Sequence, residues 1–175
     1  MAPRKLKTDP EIVEIPPQKM AVVYGKGTPD QVFPQMMPAL YGSVYTLRFD
    51  RKKQGLPVFK VTGLRGRYPD LQDTPQDQWR MIIGLPVPED TTTLPQKEAN
   101  VEVRLETWEY GTVAQILHLG AYDQEEESVA RLHQFIEDNG YQISGVQEEE
   151  YLTSPRAKVM KTIIRYPVRK KGLKQ

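Results

Sequence analysis

The chain carries one pattern twice: strand, glycine-bearing turn, helix, strand, strand. The first copy runs from about Glu11 to Pro86, the second from about Val101 to Val168. A unit of this kind cannot bury its own apolar face alone, so two copies are expected to bury theirs against each other. The fold class expected is α+β: a duplicated β-α-β-β module, an antiparallel sheet and two helices, with a cleft between pseudo-two-fold halves. Ligand sites favour such clefts. Residues 1–175 read as a single domain, and the Pro- and Thr-rich stretch of about 87–100 reads as the linker between half-repeats.

The second copy is the clearer one. Val101, Val103, Leu105 and Thr107 alternate with Glu102, Arg104 and Glu106, which predicts a strand with one wet face. Val113–Leu119 continues it, and Gly120 opens a turn that mirrors Gly25–Asp30. Asp123 reads as an N-cap, with Glu126 three residues on and further acid to suit the helix dipole. The helix is expected over Asp123–Asn139, on a stripe of Val129, Leu132 and Ile136, with Gly140 as its αL cap. Strands follow near Gly145–Thr153 and Lys161–Val168.

In the first copy, Glu11–Ile15 and Met20–Tyr24 read as strands on either side of Pro16-Pro17. Thr28-Pro-Asp-Gln31 has capping-box spacing. Pro34 and Pro38 are expected to delay the helix, which is placed at Met37–Leu47 with Tyr41 and Tyr45 in its core stripe. Val58–Leu64 and Trp79–Leu85 complete the unit, with Gly66–Asp70 as a loop.

Composition narrows the chemistry. Net charge is +1, so no global field argues for nucleic acid or membranes. The basic ends (Arg4, Lys5 and Lys7; Arg169, Lys170, Lys171 and Lys174) read as solvated tails. The absence of cysteine excludes disulfides and thiolate catalysis and fits a cytoplasmic protein. No apolar run approaches the ~20 residues of a membrane span, and no signal-peptide core is present. No nucleotide-type glycine loop, metal-spaced cluster or nucleophile elbow occurs. No cofactor and no metal are expected.

The acidic run Gln147-Glu-Glu-Glu-Tyr151 holds the main candidate. Alternation puts Glu149 on one face with Gln147 and Tyr151, and Glu148 with Glu150 on the other. Glu148 and Glu150 read as a solvated strand edge. Glu149, beside aromatic groups, can neutralise a cationic ligand, or shuttle a proton if desolvation raises its pKa. Tyr68, in a loop-like setting, and Trp79, at a strand start, are candidates to stack on a planar ligand, as is Tyr122. His118 is either a structural histidine at the strand end or a proton carrier near Glu149.

Val103–Thr107, Val113–Asp123, Gly140-Tyr141, Glu149–Pro155 and Thr162–Val168 together resemble the GyrI-like small-molecule-binding family. Lys19–Gly27, Tyr45–Phe49 and Trp79–Ile83 extend the resemblance to nearly the whole chain. The resemblance implies the fold that also forms the effector-binding domains of some AraC- and MerR-type multidrug-sensing regulators. The resemblance implies a binder of flat, lipophilic or cationic small molecules, with Glu149, Tyr151, Tyr122, Tyr68 and Trp79 as ligand-binding residues. It also implies an alternative: a cofactor-independent hydrolase that opens the cyclopropane ring of DNA-alkylating natural products, with Glu149, Tyr151 and His118 as catalytic groups. A protein-interaction module such as a gyrase inhibitor is the third class. The chain departs from the hydrolase pattern at Gln147-Glu148, where two histidines often stand, and at Tyr68-Pro69, where two tryptophans do. No helix-turn-helix fits the first ten residues, so no direct nucleic-acid contact is expected.

Overall fold

The computed structural model describes residues 8–70, 74–154 and 156–172. Arg4, Lys5, Lys7, Pro155 and Lys174 lie outside the described residues. Strands β1 (Glu11–Ile15) and β2 (Gln18–Lys26) precede helix α1 (Pro29–Lys53). Strands β3 (Leu64–Arg67), β4 (Arg80–Pro86), β5 (Arg104–Trp108) and β6 (Gly111–Leu119) follow. Helix α2 (Glu126–Asp138) and strands β7 (Tyr141–Ile143), β8 (Glu148–Tyr151) and β9 (Lys161–Lys170) complete the chain. Antiparallel strands with two helices make the fold α+β, as expected.

Contacts group the chain into two units. One holds the segment through Pro16 and everything from Tyr110 onward; the other is Pro17–Glu109. Within the first unit the strand order is β1-β6-β9-β8, with β7 also on β9. Within the second it is β5-β2-β4-β3. These orders are the same once each copy's opening strand is assigned to the other copy's unit. Thus β1 pairs with β6, Glu11 opposite Gln115, and β5 pairs with β2, Arg104 opposite Val22.

The duplication is also visible in backbone detail. Gly27 and Gly120 close the strand-to-helix turns with φ of 134° and 129°, a region open to glycine. Each donates its N–H across 2.9 Å to the carbonyl of the residue preceding the last strand of its copy, Trp79 before β4 or Met160 before β9.

Helix α2 packs Leu132 and Ile136 on Ala114, Ile116, Ile164, Tyr166 and Val168. It begins at Glu126, not at Asp123. Asp123 sits in a separate 3-10 turn, Tyr122–Gln124, so Glu125 takes the N-cap position, without a side-chain capping bond. Gly140 takes φ 75° just beyond the C-cap Asn139, as expected.

Helix α1 overturns the expected delay. It starts at Pro29 and runs through Pro34 and Pro38. Each interior proline costs about 3 kcal/mol of helix. Met36, Leu40 and Val44 are buried to 3% exposure or less. At about 1.5–3 kcal/mol per buried side chain, this stripe offsets the prolines. Tyr45 is not core: it is 52% exposed. Strand β3 begins at Leu64, where the strand Val58–Leu64 was expected to end. Its pairing with β4 takes in Gly66 and Arg67, so the expected loop is partly strand. Strand β7 is additional.

Candidate functional site

Register on β8 and β9 places the acidic run. Glu149 faces Ile164 and Tyr151 faces Thr162 across the pair. Ile164 belongs to the cluster under α2, so Glu149 and Tyr151 share the helix-covered face. Glu149 is only 8% exposed. Tyr151 donates its hydroxyl to Glu149 Oε2 at 2.7 Å. The rings of Tyr122 and Tyr151 meet edge-on, with centroids 5.3 Å apart. Tyr166 donates to Gln147 Oε1 at 2.5 Å, and His133 packs edge-on against the Tyr166 ring.

Glu125, at the start of α2, completes this group. Burial pushes its pKa up to about 9, assisted by a hydrogen bond to Glu149 and by that neighbour's charge. Glu125 Oε1 is buried and accepts nothing. The same charges act on the tyrosines. Burial, then Glu149 and Glu125, push Tyr166 up to about 12. Burial, then Glu125 and Glu149, raise Tyr122. The arrangement offers a proton donor, a charged acceptor and aromatic surface within one unit.

The opposite face of β8 corrects the reading of Glu148 and Glu150 as a solvated edge. Glu148 is 2% exposed. Arg165 donates to Glu148 Oε2 at 2.6 Å, to Glu150 Oε1 at 3.0 Å and to Gln115 Oε1 at 3.2 Å. Tyr110 donates to Glu148 Oε1 at 2.9 Å. Burial would lower the Arg165 pKa, but Glu148 and Glu150 more than offset this and it is raised.

His118 lies on the face of Glu149 but is engaged elsewhere. Its Nε2 faces the Ala121 carbonyl at 2.9 Å and its Nδ1 the Ser128 hydroxyl at 2.8 Å. A carbonyl only accepts, so Nε2 carries a proton and the ring braces the turn into α2.

Tyr68 and Trp79 belong to the second unit. Trp79 precedes β4 and donates Nε1–H to the Thr74 carbonyl at 2.8 Å. Tyr68 stands, by register, where Tyr151 stands in the first unit, because Gly66 pairs with Ile83 as Glu149 pairs with Ile164. The Tyr68 hydroxyl lies where a side chain at Gly66 would begin. The second unit therefore has the tyrosine of the motif but not the glutamate. A hollow of about 330 Å3 in this unit is lined by Tyr24, Lys26, Met36, Glu102 and Arg104, among others. Its charges are mixed and it holds no coupled acid pair.

Sequence reasoning missed Glu125 and Tyr166. No local signal marks Glu125 among the acids of a helix start. Tyr166 follows from β9 alternation, since it shares a face with Ile164.

Residues 8–169 match the family of the GyrI-like small molecule binding domain. The chain belongs to that family. The GyrI-like chain is similar to an uncharacterized conserved protein from Listeria innocua, at 27% identity and TM-score 0.83 over 94% of each chain. It is equally similar in sequence, 27%, to a hydrolase from Listeria innocua, with TM-score 0.80 over 94% of each chain. The EcmrR C-terminal domain shares the fold at 18% identity and TM-score 0.67, over 93% of this chain and 98% of that one. No curated protein matches the chain. Among the described residues, no group of three or more His, Cys, Asp or Glu is placed to hold a metal. No helix of the described residues is long and apolar enough to cross a membrane.

Proposed function

We propose that this GyrI-like domain binds a flat, lipophilic or cationic small molecule in the cytoplasm, with Glu149 as the counter-charge and Tyr151 and Tyr122 as aromatic contacts. The observation that carries the reading is a carboxylate 8% exposed, held by a tyrosine hydroxyl and bonded to no Lys or Arg among the described residues. A buried charge without a cation is costly, and a ligand cation relieves that cost. Tyr122, 39% exposed, offers a ring that a ligand can reach. Binding of the cationic dye ethidium, set against a neutral dye of similar size, tests this. Affinity for ethidium that survives Glu149→Gln unchanged sinks the role of Glu149.

A second reading has its own support. Glu125 and Glu149 together supply an acid and a base, and a 27% identical relative is described as a hydrolase. In opening a strained ring, Glu149 would take a proton from the water that bonds to one ring carbon, while Glu125 protonates the part of the same molecule that receives the electron pair of the broken ring bond. Incubation with a cyclopropane-bearing alkylator, followed by mass analysis, tests for a product one water heavier. Absence of that adduct under conditions where the compound binds removes the hydrolase reading.

A further inference from the structure

Strand register explains the hollow of about 330 Å3 in the second unit. Strand β2 pairs with β4 as far as Lys26, opposite Arg80, but its ladder with β5 ends at Val22, opposite Arg104. Antiparallel strands bond through alternate residues on each edge. Gly27, just past β2, donates its N–H to the Trp79 carbonyl, and the Lys19 carbonyl accepts from Val87. The odd-numbered residues therefore bond towards β4 and the even-numbered ones towards β5. Beyond Val22 the even-numbered residues are Tyr24 and Lys26. Their backbone N–H and C=O groups turn to the side where β5 has ended, and both residues line the hollow. A strand edge of this kind is ready to take new hydrogen bonds.

The walls divide by chemistry. Val32 and Met36 of α1, Val101 and the exposed ring of Tyr24 supply apolar and aromatic surface. Lys26 and Arg104 supply two cations against one acid in the lining, Glu102. Glu102 lies 3.6 Å from Arg104 Nε, and both side chains are more than half exposed, so the pair is weak. The Arg104 guanidinium stands 4.9 Å from the Tyr24 ring centre. Glu106, the next acid along β5, accepts the Tyr24 hydroxyl at 2.7 Å. Lys26 has no hydrogen bond or ion pair among the described residues; Asp70, which feels its charge, is held by Arg80. We propose that this hollow is a second ligand site, selective for a planar aromatic monoanion: its rings rest among Tyr24, Val32, Met36 and Val101, and its anionic group takes Lys26, Arg104 and the backbone N–H groups of Tyr24 and Lys26. A volume of a few hundred Å3 suits a ligand of that size. The charge preference is the reverse of that proposed at Glu149, and it stands independently of that reading.

Fluorescence titration with anilinonaphthalene sulfonate, set against phenylnaphthylamine, which has the same rings without the sulfonate, tests the charge preference. Lys26→Gln is expected to weaken the sulfonate roughly fivefold, the scale of a partly exposed ion pair, and to leave the neutral compound unchanged. Glu149→Gln is expected to leave sulfonate affinity unchanged. Amide NMR of the parent protein is the arm that needs no variant: the Tyr24 and Lys26 N–H signals are expected to shift as the sulfonate is added. Sulfonate affinity that survives Lys26→Gln, or that falls no more than the neutral compound's, overturns the charge preference. Binding that leaves the Tyr24 and Lys26 amides unmoved, or that is lost in Glu149→Gln, puts the dye elsewhere and overturns the site. No binding of the sulfonate at all overturns it as well.

Discussion

Tyr151 reaches back two residues along β8 to donate its hydroxyl to Glu149 Oε2 at 2.7 Å. Strand alternation puts both side chains on one face, and burial under α2 makes the contact matter. Tyr151→Phe removes the donor but keeps the ring against Tyr122. Hydrogen bonds to charged groups contribute about 1.5–3 kcal/mol, and partial exposure of Tyr151 reduces that to about 1 kcal/mol. A lower melting temperature at pH 7 is the expected result. An unchanged melt would show that the bond contributes nothing.

Glu149→Gln separates the binding and hydrolase readings. A binder should lose about 1–3 kcal/mol of affinity for a cationic dye and almost none for a neutral one. A hydrolase should lose turnover of a neutral cyclopropane substrate while its binding stays largely intact. Dye titration and single-turnover kinetics on the same preparation distinguish the two.

Arg165 holds two carboxylates on the other face of β8. Arg165→Met leaves Glu148 buried without its cation. Removing one partner of a buried pair costs about 3–5 kcal/mol. The triple change Arg165→Met, Glu148→Gln and Glu150→Gln should regain much of the loss, as read by urea denaturation. A triple variant no more stable than the single one would show that the charges are not the cause.

Tyr68 offers a stacking test in the second unit. If its ring meets a planar ligand, Tyr68→Ala costs on the order of 1 kcal/mol of dye affinity. Equal affinity for parent and variant ends that role. Gly66→Ala tests the local geometry, since an added methyl meets the Tyr68 hydroxyl. The ring must swing away, and a change in tyrosine fluorescence that is absent in the Gly66→Ala, Tyr68→Phe double variant is expected.

Stability should fall as pH rises through the neutral range. Burial, with the bond and charge of Glu149, lifts Glu125 from its ordinary 4.5 to about 9 in the folded chain. Between these values the native state holds more protons than the unfolded one, so raising the pH favours unfolding. Asp70 acts oppositely. Arg80 hydrogen bonds lower its pKa from 3.8 to about 2, so its contribution is present above about 4 and lost as pH falls through about 2. Denaturation midpoints should decline from pH 6 to 9 in the parent and flatten in Glu125→Gln. A parallel decline in both proteins would assign the effect to other groups.

By itself the sequence determined what depends on local spacing. Period-two alternation separated Glu149 and Tyr151 from Glu148 and Glu150, because neighbouring strand residues point to opposite faces. The glycines of the two turns were legible because only glycine readily takes their positive φ. The repeated order of elements led to the α+β class. What only the tertiary structure decided depends on contacts between distant segments. The exchange of β1 and β5 is a pairing choice that two similar opening strands do not announce. The continuity of α1 through Pro34 and Pro38 came from burial of Met36, Leu40 and Val44, which outweighs propensity. The fate of Glu148 and Glu150 turned on Arg165, seventeen and fifteen residues away. Glu125 acts on Glu149 only through tertiary packing, from the N-cap position of α2; in the sequence it is one acid among several at a helix start, where the helix dipole alone would have explained it.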